Sequence, residues 1–537
     1  MSLPDPIVAG LARGWKVLDA AGSPLPARID CDVAIVGTGA GGGITAELLA
    51  RAGLAVVLIE EGPLASSRDF TLREADAYPR LYQESAARKT RDKAITILQG
   101  RCVGGSTTVN WTSSFRTPEP TLEFWRQRFG LATMDPQALA PWFAQAERRL
   151  GIQPWLTPPN ENNDLLRRGA LALGIPAAAI LRNVRGCWNL GYCGMGCPTN
   201  AKQSMLVTTI PSALDAGARM LVRTRALRLA FEGTRATGVE VVGMSPDGLR
   251  PTGPTTSVRA RHVVLAGGAI GTPALLMRSD APDPYGLAGK RTFLHPTVVS
   301  AASFVQRVEG WAGAPQTIYT DHFLGVDPID GPIGYKIEAP PLHPVLTATT
   351  LAGFGDAHAA AMRDFAHTHV QIALLRDGFH ADSPGGTVAL RDDGTPELDY
   401  PLTAPLRDAV RRAWRSMAEI QFAAGARSVQ PVHEQARPYD SWKAAQAGID
   451  ALPVEPLLAR IVSAHVMGGC PMAGDERAGL VRADGRHWHL DNVSVHDGSL
   501  FPTSIGANPQ LSIYGIVTRM AAGLAQQLSG RLVDLAA

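Results

Sequence analysis

Gly37-Thr38-Gly39-Ala40-Gly41-Gly42-Gly43 separates an apolar run, Val33-Ala34-Ile35-Val36, from a helical stretch at 44–52 that stops at Gly53. Apolar strand, glycine-rich turn and helix, in that order, are what a dinucleotide-binding βαβ unit requires. Gly37 permits the tight turn, Gly39 lets backbone approach a pyrophosphate, and Gly42 lets the helix start close against the strand. The helix N-terminus then offers N–H groups and the positive end of its dipole to the anion. A second strand at 55–59 ends at Glu60, 18 residues beyond Gly42, where a carboxylate can accept hydrogen bonds from a ribose diol. The loop by itself does not choose between FAD and NAD.

Further along, Val263-Val264-Leu265-Ala266 meets Gly267-Gly268 and a helix with Pro273 near its first turn, a second strand–turn–helix. Between 300 and 455 apolar and polar stretches alternate, and an Asp393-Gly394 turn between Thr387–Leu390 and 397–400 predicts a hairpin. After 455 the strand–turn–helix style returns, ending on an amphipathic helix at 511–528. The expected fold is α/β: a Rossmann-type domain built from discontinuous segments, with an inserted sheet-plus-helices substrate domain. The expected boundaries are 1–295, 296–455 and 456–537.

Bulk properties narrow the classes. A chain of 537 residues exceeds the roughly 250–300 residues at which single cores stop growing. Its formal charge of +2 gives no reason to expect nucleic acid. The opening residues lack the basic-then-apolar layout of a secretory signal, and no run of about 18 apolar residues predicts a membrane span. The cytoplasm is the expected compartment, and six cysteines without an export signal do not make a disulfide framework.

Further segments, in order along the chain, carry a family resemblance. Gly100-Arg101-Cys102-Val103-Gly104-Gly105-Ser106-Thr107-Thr108-Val109-Asn110 with Arg116-Thr117-Pro118 resembles the first signature of the glucose–methanol–choline (GMC) oxidoreductases. Gly268-Ala269-Ile270-Gly271-Thr272-Pro273-Ala274 resembles the second. Ser463-Ala464-His465, Val495-His496-Asp497-Gly498 and Asn508-Pro509 resemble the family's C-terminal catalytic region. Asn110-Trp111 and the stretch from Gly196 to Ser204 look most like long-chain alcohol oxidases and related bacterial dehydrogenases.

The resemblance implies FAD, bound through Gly37, Gly39, Gly42, Glu60, Arg101, Gly104, Gly105, Ser106, Asn110, Ala226, Asp497, Gly498 and Pro509. Some members tether FAD through a histidine just before the asparagine of the first signature; Val109 stands there, so the implied cofactor is non-covalent. The resemblance also implies oxidation of an alcohol by hydride transfer to flavin N5, with His465 as base and Asn508 as its partner. An imidazole suits that task because its ordinary pKa, about 6.5, lies near working pH. The amide of Asn508 can donate to the substrate oxygen and hold the carbon in place. A hydroxynitrile-type lyase and a light-driven decarboxylase of long-chain acids are alternatives on the same fold; the intact His465/Asn508 pair argues for oxidation.

Cys187, Cys193 and Cys197 follow a Cys-x5-Cys-x3-Cys spacing with proline after the last thiol. Thiolates so spaced in a glycine-rich loop can wrap an iron–sulfur cluster, and the spacing resembles that in the FAD subunit of some bacterial sugar dehydrogenases. There the cluster hands electrons to a cytochrome, which would make an electron-carrier protein a partner here. The other reading is a loop stabilised by buried cysteines. His487 and His489 share a strand face but lack a third metal ligand at suitable spacing, and His496 reads as a cofactor-side or core residue. Trp311, Phe323, Phe354, Phe365 and Phe379 are candidate pocket lining for an alcohol on an apolar or aromatic body, though each taken singly reads better as an ordinary core residue. The expected enzyme is a dehydrogenase that passes its electrons to a carrier or to oxygen.

Overall fold

The glycine loop sits where its neighbours demand. In the computed structural model, which describes residues 4–536, strand β1 (Arg28–Val36) runs into the loop. Helix α1 (Ala40–Arg51) leaves it, and strand β2 (Val56–Ile59) returns parallel to β1, Val36 opposite Ile59. The helix begins four residues earlier than the apolar pattern alone suggested, because glycines rather than apolar residues form its first turn. Every residue of β2 is buried, as expected of a parallel strand covered on both faces.

Strand β3 (Pro251–Leu265) pairs parallel with β1 on one edge. Its other edge is antiparallel to Arg235–Met244 at first, and then parallel to Val493–Val495. This sheet runs Lys16–Asp19, Arg219–Val222, β2, β1, β3, Arg235–Met244, Thr224–Glu232. Helix α2 (Gly268–Arg278) follows β3 directly. The sheet therefore draws on segments far apart in the chain.

A second, mostly antiparallel sheet carries strands β4 (Thr297–Ser303), β5 (Tyr335–Glu338), β6 (Thr368–Leu375) and β7 (Ile461–Ser463). Its register decides which side chains see the interior, since directly paired residues share a face. Glu338, Ile372 and Val299 form one row; Lys336, Leu374, Thr297 and Val462 form the next. The alternating positions Ile337, Ala373, Val298 and Ile461 turn the other way and join the core beneath helix α3 (Ala404–Ala423). Trp414 of α3 is fully buried there. The Asp393-Gly394 hairpin forms between Thr387–Leu390 and Pro396–Asp399. The terminal helix α4 (Gln510–Ser529) packs on α1. Among the described residues no helix is long and apolar enough to cross a membrane.

Candidate active site

A cavity of ≈ 1270 Å³ opens between the glycine loop of the first sheet and the inward face of the second. One arm is lined by Gly37, Gly39, Glu60, Arg101, Gly105, Ser106, Asn110, Ala226, Asp497 and Gly498. Gly37 has a φ of +100° and lies against β3: a Cβ there would sit 2.2 Å from the Ala266 carbonyl oxygen. Gly42 lies outside the lining, and a Cβ on it would meet the Gly37 oxygen at 2.1 Å, so it serves the helix–strand contact. Gly104 is likewise behind the wall, its N–H donating to Thr38 Oγ1 at 3.0 Å. Gly39 caps α1 with no side-chain acceptor, which leaves first-turn N–H groups for an anion.

The polar residues of this arm are held by their neighbours. Glu60 accepts from Thr38 N–H at 3.1 Å, Thr38 Oγ1 at 2.5 Å and Gly62 N–H at 2.9 Å. Burial nevertheless raises its pKa. Asp497 joins two of the sequence signatures, accepting from Gly268 N–H at 2.8 Å and Thr272 Oγ1 at 2.6 Å. Asn110 donates to Gln510 Oε1 at 2.7 Å. Arg101 instead grips a hairpin turn, donating to the carbonyls of Asp247 and Gly248 at 3.0 and 3.2 Å. Glycine floor, open helix terminus and buried acid together suit a dinucleotide such as FAD, and Val109 lines the wall where a tethering histidine would be needed.

His465, Asn508 and Pro509 line the other arm. His465 lies just past β7, which places it at the rim of the second sheet's inward face. Burial lowers its pKa to about 4; the nearby Glu338 carboxylate pulls it up and the Lys336 ammonium pushes it down. Its Nδ1 lies 3.3 Å from Nδ1 of His295, so one proton at most fits between the rings. His295 is in turn fixed by Gly506 N–H donating to its Nε2 at 3.0 Å and by Asp377, which accepts its backbone N–H at 3.1 Å.

Besides His295, three site residues went unread in the sequence: Lys336, Glu338 and Gln316. Lys336 Nζ donates to Asn508 Oδ1 at 3.0 Å, Asn508 Nδ2 donates to Glu338 Oε2 at 3.3 Å, and Lys336 Nζ lies 3.0 Å from Glu338 Oε1. Gln316 Nε2 donates to Glu338 Oε2 at 2.6 Å. The available signal was a Lys-Ile-Glu alternation inside an apolar strand, which puts two charges on one face.

The proposed aromatic lining is corrected. Trp311 stacks on Phe365 and Phe323 on Tyr335, while Phe379 packs against Phe124 and Phe354 is 90 % exposed. None of the five faces the cavity, because their positions fall off the inward rows of the sheet. The apolar wall is mostly aliphatic instead, made by Val299, Leu342, Leu346, Leu351, Val370, Ile372, Leu374 and Val432, and the aromatics that do line the cavity are Tyr82 and Trp111.

The iron–sulfur expectation finds no support. Cys187 accepts from Asn189 N–H at 3.4 Å, Cys193 lies 3.9 Å from Arg182 Nη2, and Cys197 is 3.4 Å from Thr199 Oγ1, so each thiol has its own partner. Among the described residues no three His, Cys, Asp or Glu side chains are grouped to hold a metal ion, which also covers His487 and His489. The loop is held from within by Lys202, whose ammonium donates to the carbonyls of Thr108, Asn110 and Cys193. His496 is a core residue, its Nδ1 2.9 Å from Thr45 Oγ1 on α1.

Residues 78–297 and 382–516 match the two family models described as GMC oxidoreductase. An uncharacterized GMC-type oxidoreductase of Mycobacterium tuberculosis is 33% identical over 524 residues, 97% of this chain and 78% of its own length. A long-chain-alcohol oxidase of Arabidopsis thaliana is 27% identical over 515 residues, 91% of this chain and 68% of its own. Among solved structures, pyridoxine 4-oxidase from Mesorbium loti superposes with a TM-score of 0.67 at 20% identity, covering 91% of this chain and 98% of that one. At that identity the likeness speaks for the fold.

Proposed function

The chain belongs to the GMC oxidoreductase family, and from that premise we propose that it oxidises an alcohol with an aliphatic body to the aldehyde or ketone. The observation that carries this reading is the placement of a neutral imidazole and a fixed amide on one wall of a cavity whose other arm suits FAD. FAD, when bound, supplies the acceptor for the hydride that leaves the alcohol carbon. Gly37, Gly39 and the open terminus of α1 would hold its pyrophosphate, and Glu60 its ribose.

The chain's own residues do the rest. His465, kept uncharged at neutral pH by burial, takes the hydroxyl proton on its accepting ring nitrogen, Nδ1, in place of the His295 N–H there, as the C–O double bond forms. Asn508 donates from its amide nitrogen to the substrate oxygen, which fixes the carbon and stabilises charge building on that oxygen. The aliphatic wall excludes water and accepts the substrate's body.

Anaerobic addition of an alcohol to the purified yellow protein tests this. The expected result is bleaching, with His465→Ala slowing it by about 10²–10⁴-fold and Asn508→Ala by about 10²–10³-fold, both at unchanged flavin content. A colourless protein that takes up no flavin, or a His465→Ala variant that bleaches like the parent, overturns the proposal.

A further inference from the structure

Asn508 has an amide whose two ends are nearly the same shape, so nothing in its own structure decides which end meets a substrate. The cavity wall decides it. Lys336 and Glu338 project side by side from β5, their side chains 2% and 0% exposed, and each takes one end of that amide. We propose that Lys336 and Glu338 are positioning residues that lock the Asn508 amide with its oxygen on the ammonium and its nitrogen on the carboxylate, leaving the second N–H for the alcohol oxygen. This rests on the reading of Asn508 as the donor to substrate.

The energetics favour a single orientation. Turning the amide over would aim its N–H groups at the Lys336 ammonium and its oxygen at the Glu338 carboxylate, exchanging two charge-assisted hydrogen bonds for two repulsions. The frame itself is rigid. Gln316 pins the carboxylate, and the rings of Phe115 and Tyr319 lie 3.0 and 4.5 Å from the ammonium. A buried ion pair is a weak source of stability, because desolvation offsets most of its attraction. Its value here lies in orientation. Neither charge lines the cavity, so both act through Asn508 and through the field at His465.

That field gives a second signature. The charged or titratable groups around His465 are Lys336 and Glu338 from β5 and His295 from the segment before β4, with Arg376 acting on His295. Removing Lys336 raises the His465 pKa and removing Glu338 lowers it.

The experiment compares Lys336→Met, Glu338→Gln, Asn508→Ala, Lys336→Met/Asn508→Ala and His465→Ala as flavin-loaded proteins, reading flavin content, kcat, KM and the acid limb of kcat/KM. Lys336→Met is expected to lower kcat by about 10-fold or more with KM little changed. Asn508→Ala is expected to cost little further in that background. The acid limb moves up in Lys336→Met and down in Glu338→Gln. Losses that multiply in the double variant, or acid limbs that stay put in both, overturn the inference. If Lys336→Met loses its flavin, Glu338→Gln with Asn508→Ala makes the same cycle. Parent-like turnover in both His465→Ala and Asn508→Ala sinks the functional reading instead, whereas slow His465→Ala and Asn508→Ala beside parent-like Lys336→Met and Glu338→Gln sinks this inference alone.

Discussion

Gly41 and His496 touch: a Cβ built on Gly41 would lie 1.7 Å from the His496 carbonyl oxygen. The contact joins the first turn of α1 to the segment that leads into Asp497 and Gly498, although the two are more than 450 positions apart. Gly41 occupies a variable position of the glycine fingerprint, so the loop pattern does not demand it; the returning C-terminal segment does. Gly41→Ala must push apart α1 and that segment, in a place where both are backbone and neither can swing aside. The expected cost is about 1–3 kcal/mol or more, seen as a lower midpoint in thermal unfolding together with weaker flavin retention. Parent-like values for both would show that the two backbones part easily.

The acid limb of kcat/KM should lie far below that of a free imidazole. Burial lowers the His465 pKa to about 4. The unprotonated form accepts the hydroxyl proton, so activity is present above that value and is lost as pH falls through it. A rate constant that is flat from pH 7 to about 5 and declines near 4 is expected; a decline centred near 6.5, the ordinary imidazole value, contradicts it. Acid-stable flavin retention must be checked in parallel, because loss of fold would give the same fall.

What was legible in the sequence was local. The glycine loop announces itself because turn, strand and helix are contiguous, and His465 and Asn508 stand in segments whose order resembles a known catalytic region. Lys336 and Glu338 were legible only as two charges on one face of an apolar strand; that this face meets Asn508, and that His295 meets His465, are long-range contacts that no short motif carries. The aromatic lining fails for another reason: Trp311, Phe323, Phe354, Phe365 and Phe379 lie in a turn, a bend, short 3-10 helices and a helix cap, outside the strands that form the inward face. The thiol spacing also misled. It is compatible with a cluster, but the loop turns Cys187, Cys193 and Cys197 toward separate partners.

Stability should fall below the imidazole range well before carboxylates are lost. His262, His369 and His496 are pushed down to about 3 and His487 to about 4, each chiefly by burial. In the unfolded chain these rings take up protons near pH 6.5, while the folded protein keeps them neutral. The unfolded state therefore binds more protons below that pH, and stability declines as pH drops from about 6.5 toward 3. Each histidine contributes a slope of roughly 1 kcal/mol per pH unit across that window. Urea midpoints taken between pH 7 and 4 should fall steadily, and His262→Gln, which removes one such ring, should flatten the slope. Midpoints independent of pH over that range would contradict the burial of these rings.

Substrate preference should track apolar length. The wall beyond the catalytic pair consists of Val299, Val370, Ile372, Leu374, Val432, Leu342, Leu346 and Leu351. Polar side chains interspersed with it include Gln316, Ser463 and the threonines at 297, 347 and 350; Gln316 is committed to Glu338 and Ser463 to the Leu294 carbonyl. Each methylene moved from water to such a wall is worth about 0.8 kcal/mol, or roughly a fourfold gain in kcat/KM. A series of straight-chain primary alcohols should therefore rise by about two- to fourfold per carbon until the arm is full, then level off. Glycerol and sugars, whose extra hydroxyls would be stranded against aliphatic groups, should react poorly. Val370→Trp shortens the space, so it should move the plateau to shorter chains while leaving short alcohols close to the parent rate. A flat series, or a preference for polyols over alkanols, would mean that the aliphatic rows of β4 and β6 do not receive the substrate at all.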